Sequence, residues 1–159
     1  MPKESAYTSI KQIPAGFKKF QLGKRNMDYG GGKYDVATNY LKKHGTENLV
    51  IDPYNRNKNH NFNVIHDMAI TPVQSITLMN VLNVIQSKAE RAKVLNTIKV
   101  MVDNQDDPVV IIQIYEGDKS GKPSKKTVQT NMKTADYIPE IQKVFPEWEV
   151  QRQGNFLIV

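Results

Sequence analysis

Residues 109–115 read Val-Val-Ile-Ile-Gln-Ile-Tyr, β-branched or aromatic at six of seven positions. In a strand, successive side chains point to opposite faces, so this stretch is apolar on both. Such a strand predicts the centre of a parallel sheet, paired on both edges and covered by helices above and below. A chain of 159 residues has material for one three-layer domain of this kind, and none for a second, separate substrate domain. Hydrophobic residues at 39% and charged residues at 24% match an ordinary globular chain, so a packed core is expected.

The remaining elements alternate in the way a parallel sheet requires. A short helix is expected over 15–22 and a first strand from Arg25, which is unusually polar for a central strand. A helix over 34–43 stops at His44-Gly45. A strand over 48–51 ends at Asp52-Pro53, and 55–61 is asparagine-rich and reads as loop. Residues 62–65 and 75–79 are strand candidates. Residues 86–102 form the best helix, with Ser87 and Glu90 spaced as a capping box. After the strand at 109–115, Thr134 is expected to cap a helix reaching residue 145. Two strands at 148–152 and 155–159, joined at Gln153-Gly154, form a hairpin whose core residues are Trp148 and Phe156. Seven strands are counted in all, the terminal pair antiparallel.

Several function classes drop out at this stage. No window approaches 18 consecutive apolar residues, so no transmembrane helix is expected. Met1-Pro2-Lys3-Glu4-Ser5 has no apolar run behind its charge, so no secretory signal is expected. Cysteine is absent, which removes disulfides, thiolate metal sites and cysteine nucleophiles and fits a cytoplasmic setting. His44, His60 and His66 show no ligand spacing with nearby carboxylates, so no metal is expected. The net charge of +6 is unevenly spread. Residues 1–26 carry Lys3, Lys11, Lys18, Lys19, Lys24 and Arg25 against Glu4. Residues 118–133 carry Lys119, Lys122, Lys125, Lys126 and Lys133 against Asp118. These read either as solvated segments or as basic arms beside a site for a polyanion such as nucleic acid.

Two features carry chemistry. Asp28-Tyr29-Gly30-Gly31-Gly32 lies between a strand and a helix, where glycines allow a sharp turn and close approach of a ligand to bare main chain. A purely structural turn would look the same. Asp52 ends the next strand, 20 residues after Gly32. An acidic residue at that spacing accepts hydrogen bonds from ribose hydroxyls, and it is expected to face water in the crevice. The alternative is an ordinary Asp-Pro turn. The dinucleotide fingerprint fails because Asp35 stands at its third glycine, and the phosphate loop of NTPases fails because Tyr34 follows Lys33 and Met27 replaces its first glycine. The ligand expected is therefore one with a ribose and no phosphate at the helix start, which S-adenosylmethionine satisfies.

The chain resembles class I S-adenosylmethionine-dependent methyltransferases. More narrowly, it is similar to small bacterial and phage proteins akin to the methyltransferases associated with DNA phosphorothioation. The matching stretches are Asp28 to Gly32, Val50-Ile51-Asp52-Pro53-Tyr54, His66-Asp67, Asn80-Val81-Leu82-Asn83-Val84-Ile85 with Glu90-Arg91 behind it, and Gln129-x-Asn131 ahead of Thr134-Ala135-Asp136-Tyr137. They span about residues 25–159. The resemblance implies an α/β, Rossmann-like methyltransferase fold over 25–159, preceded by a basic segment at 1–24. That fold has a mostly parallel seven-stranded sheet with a C-terminal antiparallel hairpin and helices on both faces. It also implies that Asp28, Gly30, Gly31 and Gly32 hold the amino-acid end of the cofactor, with Tyr29 and Pro53 among the contacts. Asp52 would hold the ribose, Asp67 or Met68 would meet the adenine, and Asn80 would lie where the methyl end meets the substrate. Tyr34 departs from the small residue many members carry after the turn.

Of the three histidines only His66 falls near the implied site, as a candidate base, with Asn80 the other candidate catalytic residue. The Asn/Asp-Pro-Pro-Tyr motif of amino-directed DNA methyltransferases is absent. Transfer from a sulfonium needs mainly alignment, so the want of an obvious acid–base pair does not argue against it. The sequence is read first as a methyltransferase of unidentified acceptor. The alternative is a non-catalytic cofactor- or nucleic-acid-binding protein on the same scaffold. A nicotinamide oxidoreductase is the weakest reading, given the missing glycine.

Overall fold

A computed structural model describes residues 11–159. The first ten residues, with Lys3 and Glu4 of the basic segment, lie outside the described residues. The elements are α1 (Ala15–Lys19), β1 (Arg25–Tyr29), α2 (Val36–Lys43), β2 (Glu47–Ile51), α3 (Lys58–Ile70), β3 (Ser75–Met79), α4 (Lys88–Asp103), β4 (Val109–Gln113), α5 (Ile138–Val144), β5 (Gln151–Gln153) and β6 (Phe156–Ile158). The protein is α/β, with one six-stranded mixed sheet in the order β2-β1-β3-β4-β6-β5. The first four strands run parallel; β6 is antiparallel to both β4 and β5. Among the described residues no helix is long and apolar enough to cross a membrane.

The expected seventh strand does not form. Residues 62–65 lie inside α3, whose start is set by Asn57: its side chain accepts from the His60 N–H at 2.7 Å. The stretch Phe-Asn-Val-Ile fits a strand period, but Val64 and Met68 are the buried pair at helical spacing, while Phe62 and Ile65 are exposed. With no seventh strand, β2 is an edge, and α3 covers it with side chains. The His60 ring donates from Nε2 to the Val50 carbonyl at 2.8 Å. The Asn61 amide accepts from the Asp52 N–H and donates to the Asp52 carbonyl, both at 3.0 Å.

Smaller differences follow the same logic. Ser87 caps α4 as expected, accepting from Glu90 N–H at 3.3 Å. Thr134 does not cap; it opens a short 3-10 turn (Thr134–Tyr137) that runs into α5, and the Asp136 carboxylate accepts from Lys133 N–H at 3.1 Å instead. The hairpin turns at Gly154-Asn155, and residues 148–150 stay outside β5. Trp148 stacks on Phe145 rather than sitting in the hairpin, whereas Phe156 is buried as expected.

The two faces of the sheet differ. One carries Met27, Ile76, Leu78, Val110 and Ile112, fully buried in the main core against Val64, Leu95, Ile98 and Ile141 of the covering helices. The other is polar at its centre. Asn26 Nδ2 donates to Asn48 Oδ1 at 2.8 Å and to Thr77 Oγ1 at 3.0 Å. The Ser75 hydroxyl lies 2.7 Å from Asn26 Oδ1, and Thr77 in turn donates to Asp28 at 3.0 Å. This buried stripe explains the polar first strand. A smaller apolar cluster of Phe17, Leu22, Leu41, Met79, Ile111 and Phe156 flanks it.

The chain after β3 is held by Arg91, 4% exposed. It pairs with Glu140 through two bonds, 2.9 and 2.7 Å, and donates to the Ile85 and Gln86 carbonyls at 2.7 and 3.0 Å. One guanidinium thus joins α4, α5 and the Asn80–Ile85 connection. Removing one partner of a buried ion pair costs about 3–5 kcal/mol. Glu140→Ala should therefore lower the unfolding free energy measured by urea titration by an amount of that order, while the paired replacement Arg91→Met with Glu140→Leu should recover a large part of it.

Candidate active site

β1 leads to β2 on one side and lies beside β3 on the other, so a crevice opens at the carboxyl ends of these strands, the usual ligand position in such sheets. A cleft with a cavity volume of about 100 Å³, open at its mouth, occupies that place. It is lined by Asp28, Gly30, Gly31 and Gly32, by Asp52 and Asn55 after β2, and by Asn80 and Val81 after β3. Gln12, Pro14 and Phe17 close it from the α1 side.

The glycine turn is fixed by packing as well as by openness. Gly30 takes φ 75°, and a Cβ there would come within 2.8 Å of Val81 Cγ2. A Cβ on Gly31 would meet Asp28 Oδ2 at 2.5 Å and Val50 Cγ1 at 2.9 Å. Arg56 braces the turn from outside, donating to the Gly32 carbonyl at 2.8 Å and pairing with Asp35 at 2.8 Å. Asn80 ends β3 in the left-handed conformation, φ 60°, and its Oδ1 is buried without a partner.

The two carboxylates of the cleft have different surroundings. Asp28 is 3% exposed, and burial pushes its pKa up to about 7; hydrogen bonds from Thr77 and Asn48 oppose the shift and the nearby Asp52 adds to it. Asp52 was expected to face water, and it does not. It is 2% exposed. Its Oδ1 accepts from the Tyr54 and Asn55 N–H groups, both at 3.0 Å, and its Oδ2 from the Gly32 N–H at 2.9 Å and Asn55 Nδ2 at 3.1 Å. Four donors fill the roughly four acceptor sites of a carboxylate. Asp52 therefore ties the glycine turn to the end of β2, a role in which three of its partners are backbone groups.

The structure brings Asp28, Gly30, Gly31, Gly32, Asp52 and Asn80 together at the cleft. Tyr29 is buried in the core beneath it, and Pro53 is exposed at the start of the following turn. His66, Asp67 and Met68 do not join them. They follow no strand; all three lie on α3, where Met68 is buried in the core. Asp67 lies 3.2 Å from Arg25, the first residue of β1, at the opposite end of the strand from Gly30. The sequence reading missed Asn55, whose signal is its place three residues after an Asp in a turn, and Phe17, for which no motif exists. His44 sits at the end of α2, its ring 2.8 Å from the Tyr40 carbonyl. Among the described residues no group of three or more His, Asp or Glu is placed to hold a metal ion.

The electrostatics of the lining restrict the ligand. The residues that line the cleft include two aspartates and no lysine or arginine, while Arg56, Lys33 and Lys11 stand next to lining residues. A pyrophosphate would meet the like charge of these carboxylates, and a cationic group would not. No known protein-family model matches the chain, and no curated protein is found similar to it.

Because Asp52 is saturated and buried, its loss orphans donors at about 1–3 kcal/mol each. Asp52→Ala should lower the melting temperature of the ligand-free protein, with Asp52→Asn intermediate because one oxygen remains to accept. Thermal denaturation of the three proteins checks this, and equal melting temperatures would mean that the side chain faces solvent.

Proposed function

We propose that the cleft holds S-adenosylmethionine and that the protein is a methyltransferase. The observation that carries this reading is the pairing of a lining without lysine or arginine with a buried carboxylate, Asp28, at the strand end beside the glycine turn. The residues fit such a ligand. Asp28, once ionised, suits a cationic amino group. Ribose hydroxyls would compete with Asn55 Nδ2, the one donor to Asp52 that a side chain supplies. The six-stranded sheet is compatible with a Rossmann-like methyltransferase scaffold shortened by one strand. The absence of cysteine suits a reducing, cytoplasmic setting.

When bound, this cofactor supplies an electrophilic methyl group on a positively charged sulfur, which keeps the electron pair of the broken bond while the acceptor gains the methyl and gives a proton to water. The chain's own part is placement. The glycine turn fixes one end, Asp28 holds charge, and Asn80 marks where the cleft continues toward an acceptor. Alignment of this kind supplies much of the rate of a reaction whose leaving group is already activated. The second reading, binding without turnover, draws on the position of His66 on α3, away from the cleft. Incubation with methyl-labelled cofactor and cell extract separates the two.

Calorimetric titration with S-adenosylhomocysteine tests the binding step. Below pH 7 a cation must displace the proton on Asp28, so affinity should rise with pH, by up to about tenfold per unit, and level off above pH 7. Asp28→Asn should bind more weakly and without that slope. The same group predicts ligand-free stability. Its folded pKa is raised from 3.8 to about 7, so its contribution is complete below pH 4 and is lost as pH rises through 7. Wild type should lose stability across that window relative to Asp28→Asn in urea titrations.

A further inference from the structure

Helices α3 and α4 lie side by side over the main core. α3 joins β2 to β3 and α4 joins β3 to β4, all parallel strands, so both helices run back against the strands and share one direction. Val64 and Met68 of α3 and Val94, Leu95, Ile98 and Val102 of α4 face the core. Gln105 ties the C-terminal ends, donating to the Met68 carbonyl at 3.2 Å and accepting from the Val73 N–H at 2.8 Å.

The outer side of the pair is apolar as well. Phe62, Ile65 and Ala69 recur at helical spacing along α3, and Val100 stands on the side of α4 away from the core. Between the helices runs an open groove with a cavity volume of about 580 Å³, lined by Ile65, Met68, Ala69, Thr97, Val100 and Met101 and by no charged side chain. Phe62, Ile65 and Val100 are 69, 48 and 61% exposed, with Ile70 at the rim. Together these side chains leave on the order of 400 Å² of apolar surface in water, a size at which a patch marks an interaction site.

The two ends of this face carry opposite charge. At the N-terminal end stand Lys58, Lys88 and Lys93, all exposed, with Glu90 paired to Lys93 at 3.0 Å. At the C-terminal end stand Asp103, Asp106 and Asp107, all exposed, with Lys99 paired to Asp103 at 2.6 Å. With those two pairs set aside, Lys58 and Lys88 make one end positive, and Asp106 and Asp107 make the other negative. The helix dipoles add the same signs at the same ends.

We infer that this face binds a second copy of the chain, with the helices of the two copies antiparallel. A closed dimer presents the same patch from both sides, so the patch must complement itself. A two-fold axis lying along the helices would set lysine on lysine and aspartate on aspartate. An axis lying across them sets the lysine end of each copy on the aspartate end of the other, with the neutral middle on itself. Phe62 of one copy then lies toward the Ala69 end of its partner's groove. Two helices of 13 and 16 residues present a face about 20 Å long and 20 Å wide. Two such faces together bury about 1,000 Å², the least a specific interface needs, so the dissociation constant is on the order of tens of micromolar. The face and the cleft share no lining residue, and the dimer does not depend on the methyltransferase reading.

Sedimentation equilibrium of the full chain between about 1 and 500 μM, a range that brackets such a constant, tests this. The average mass should climb from 18.1 kDa toward twice that value and should climb less at high salt. Phe62→Ser and Val100→Lys change exposed side chains, and each should weaken the dimer about tenfold or more while the melting temperature of dilute protein stays unchanged. Lys58→Glu with Lys88→Glu should weaken it, and so should Asp106→Lys with Asp107→Asn. All four changes in one chain should restore it, because the ends are then exchanged and still complementary. A mass that stays at the monomer value throughout overturns the inference. So does a dimer indifferent to Phe62 and Val100, which uses another surface. Charge changes whose combination fails to restore association overturn the antiparallel arrangement.

Discussion

The register of the sheet depends on one buried amide. Asn26 sits 0% exposed in β1 and reaches both neighbouring strands, Asn48 on one side and Thr77 and Ser75 on the other. A slip of one residue would turn its amide to the apolar face and leave these groups without partners. Buried polar groups add little net stability when satisfied and subtract much when they are not, so the stripe acts as a selector of one alignment. That alignment sets the heights at which β1, β2 and β3 end. The positions of Asp28, Asp52 and Asn80 around the cleft all follow from it.

The stripe also delivers a proton-binding group to the cleft. Thr77 accepts from Asn26 and donates to Asp28, so the carboxyl at the end of the chain of bonds is held in place from behind. Asp52, across the glycine turn, is held differently: three of the four donors to its oxygens are backbone N–H groups. One carboxyl is a structural knot and the other retains a choice of protonation near neutrality.

Much of this was legible in the sequence. Residues 109–113 form an interior strand because apolar side chains on both faces leave no other place for them. The glycine turn and Asp52 come together because a strand, a turn, a helix and a second strand need about that many residues. The failures have physical causes. Phe-Asn-Val-Ile at 62–65 satisfies a period of two in isolation, and the deciding group is Asn57, a cap hidden in a stretch whose composition reads as loop. With the strand went the reason to place His66, Asp67 and Met68 beside the cleft. The burial of Asp52 was not legible because one of its donors, Gly32 N–H, comes from 20 residues away. The polar first strand was visible as an anomaly, but its partners lie 22 and 49 residues distant.

The edge at β2 has a bearing on self-association. An open edge offers a row of main-chain donors and acceptors to any passing strand, and proteins that leave one bare risk pairing with their own copies. Here two side chains of α3 imitate the missing neighbour. The Asn61 amide pairs with both backbone groups of Asp52 as a strand residue would, and His60 covers the Val50 carbonyl next in line. The helix that replaced the expected strand thereby serves as a terminator, closing the ladder to further growth on that side.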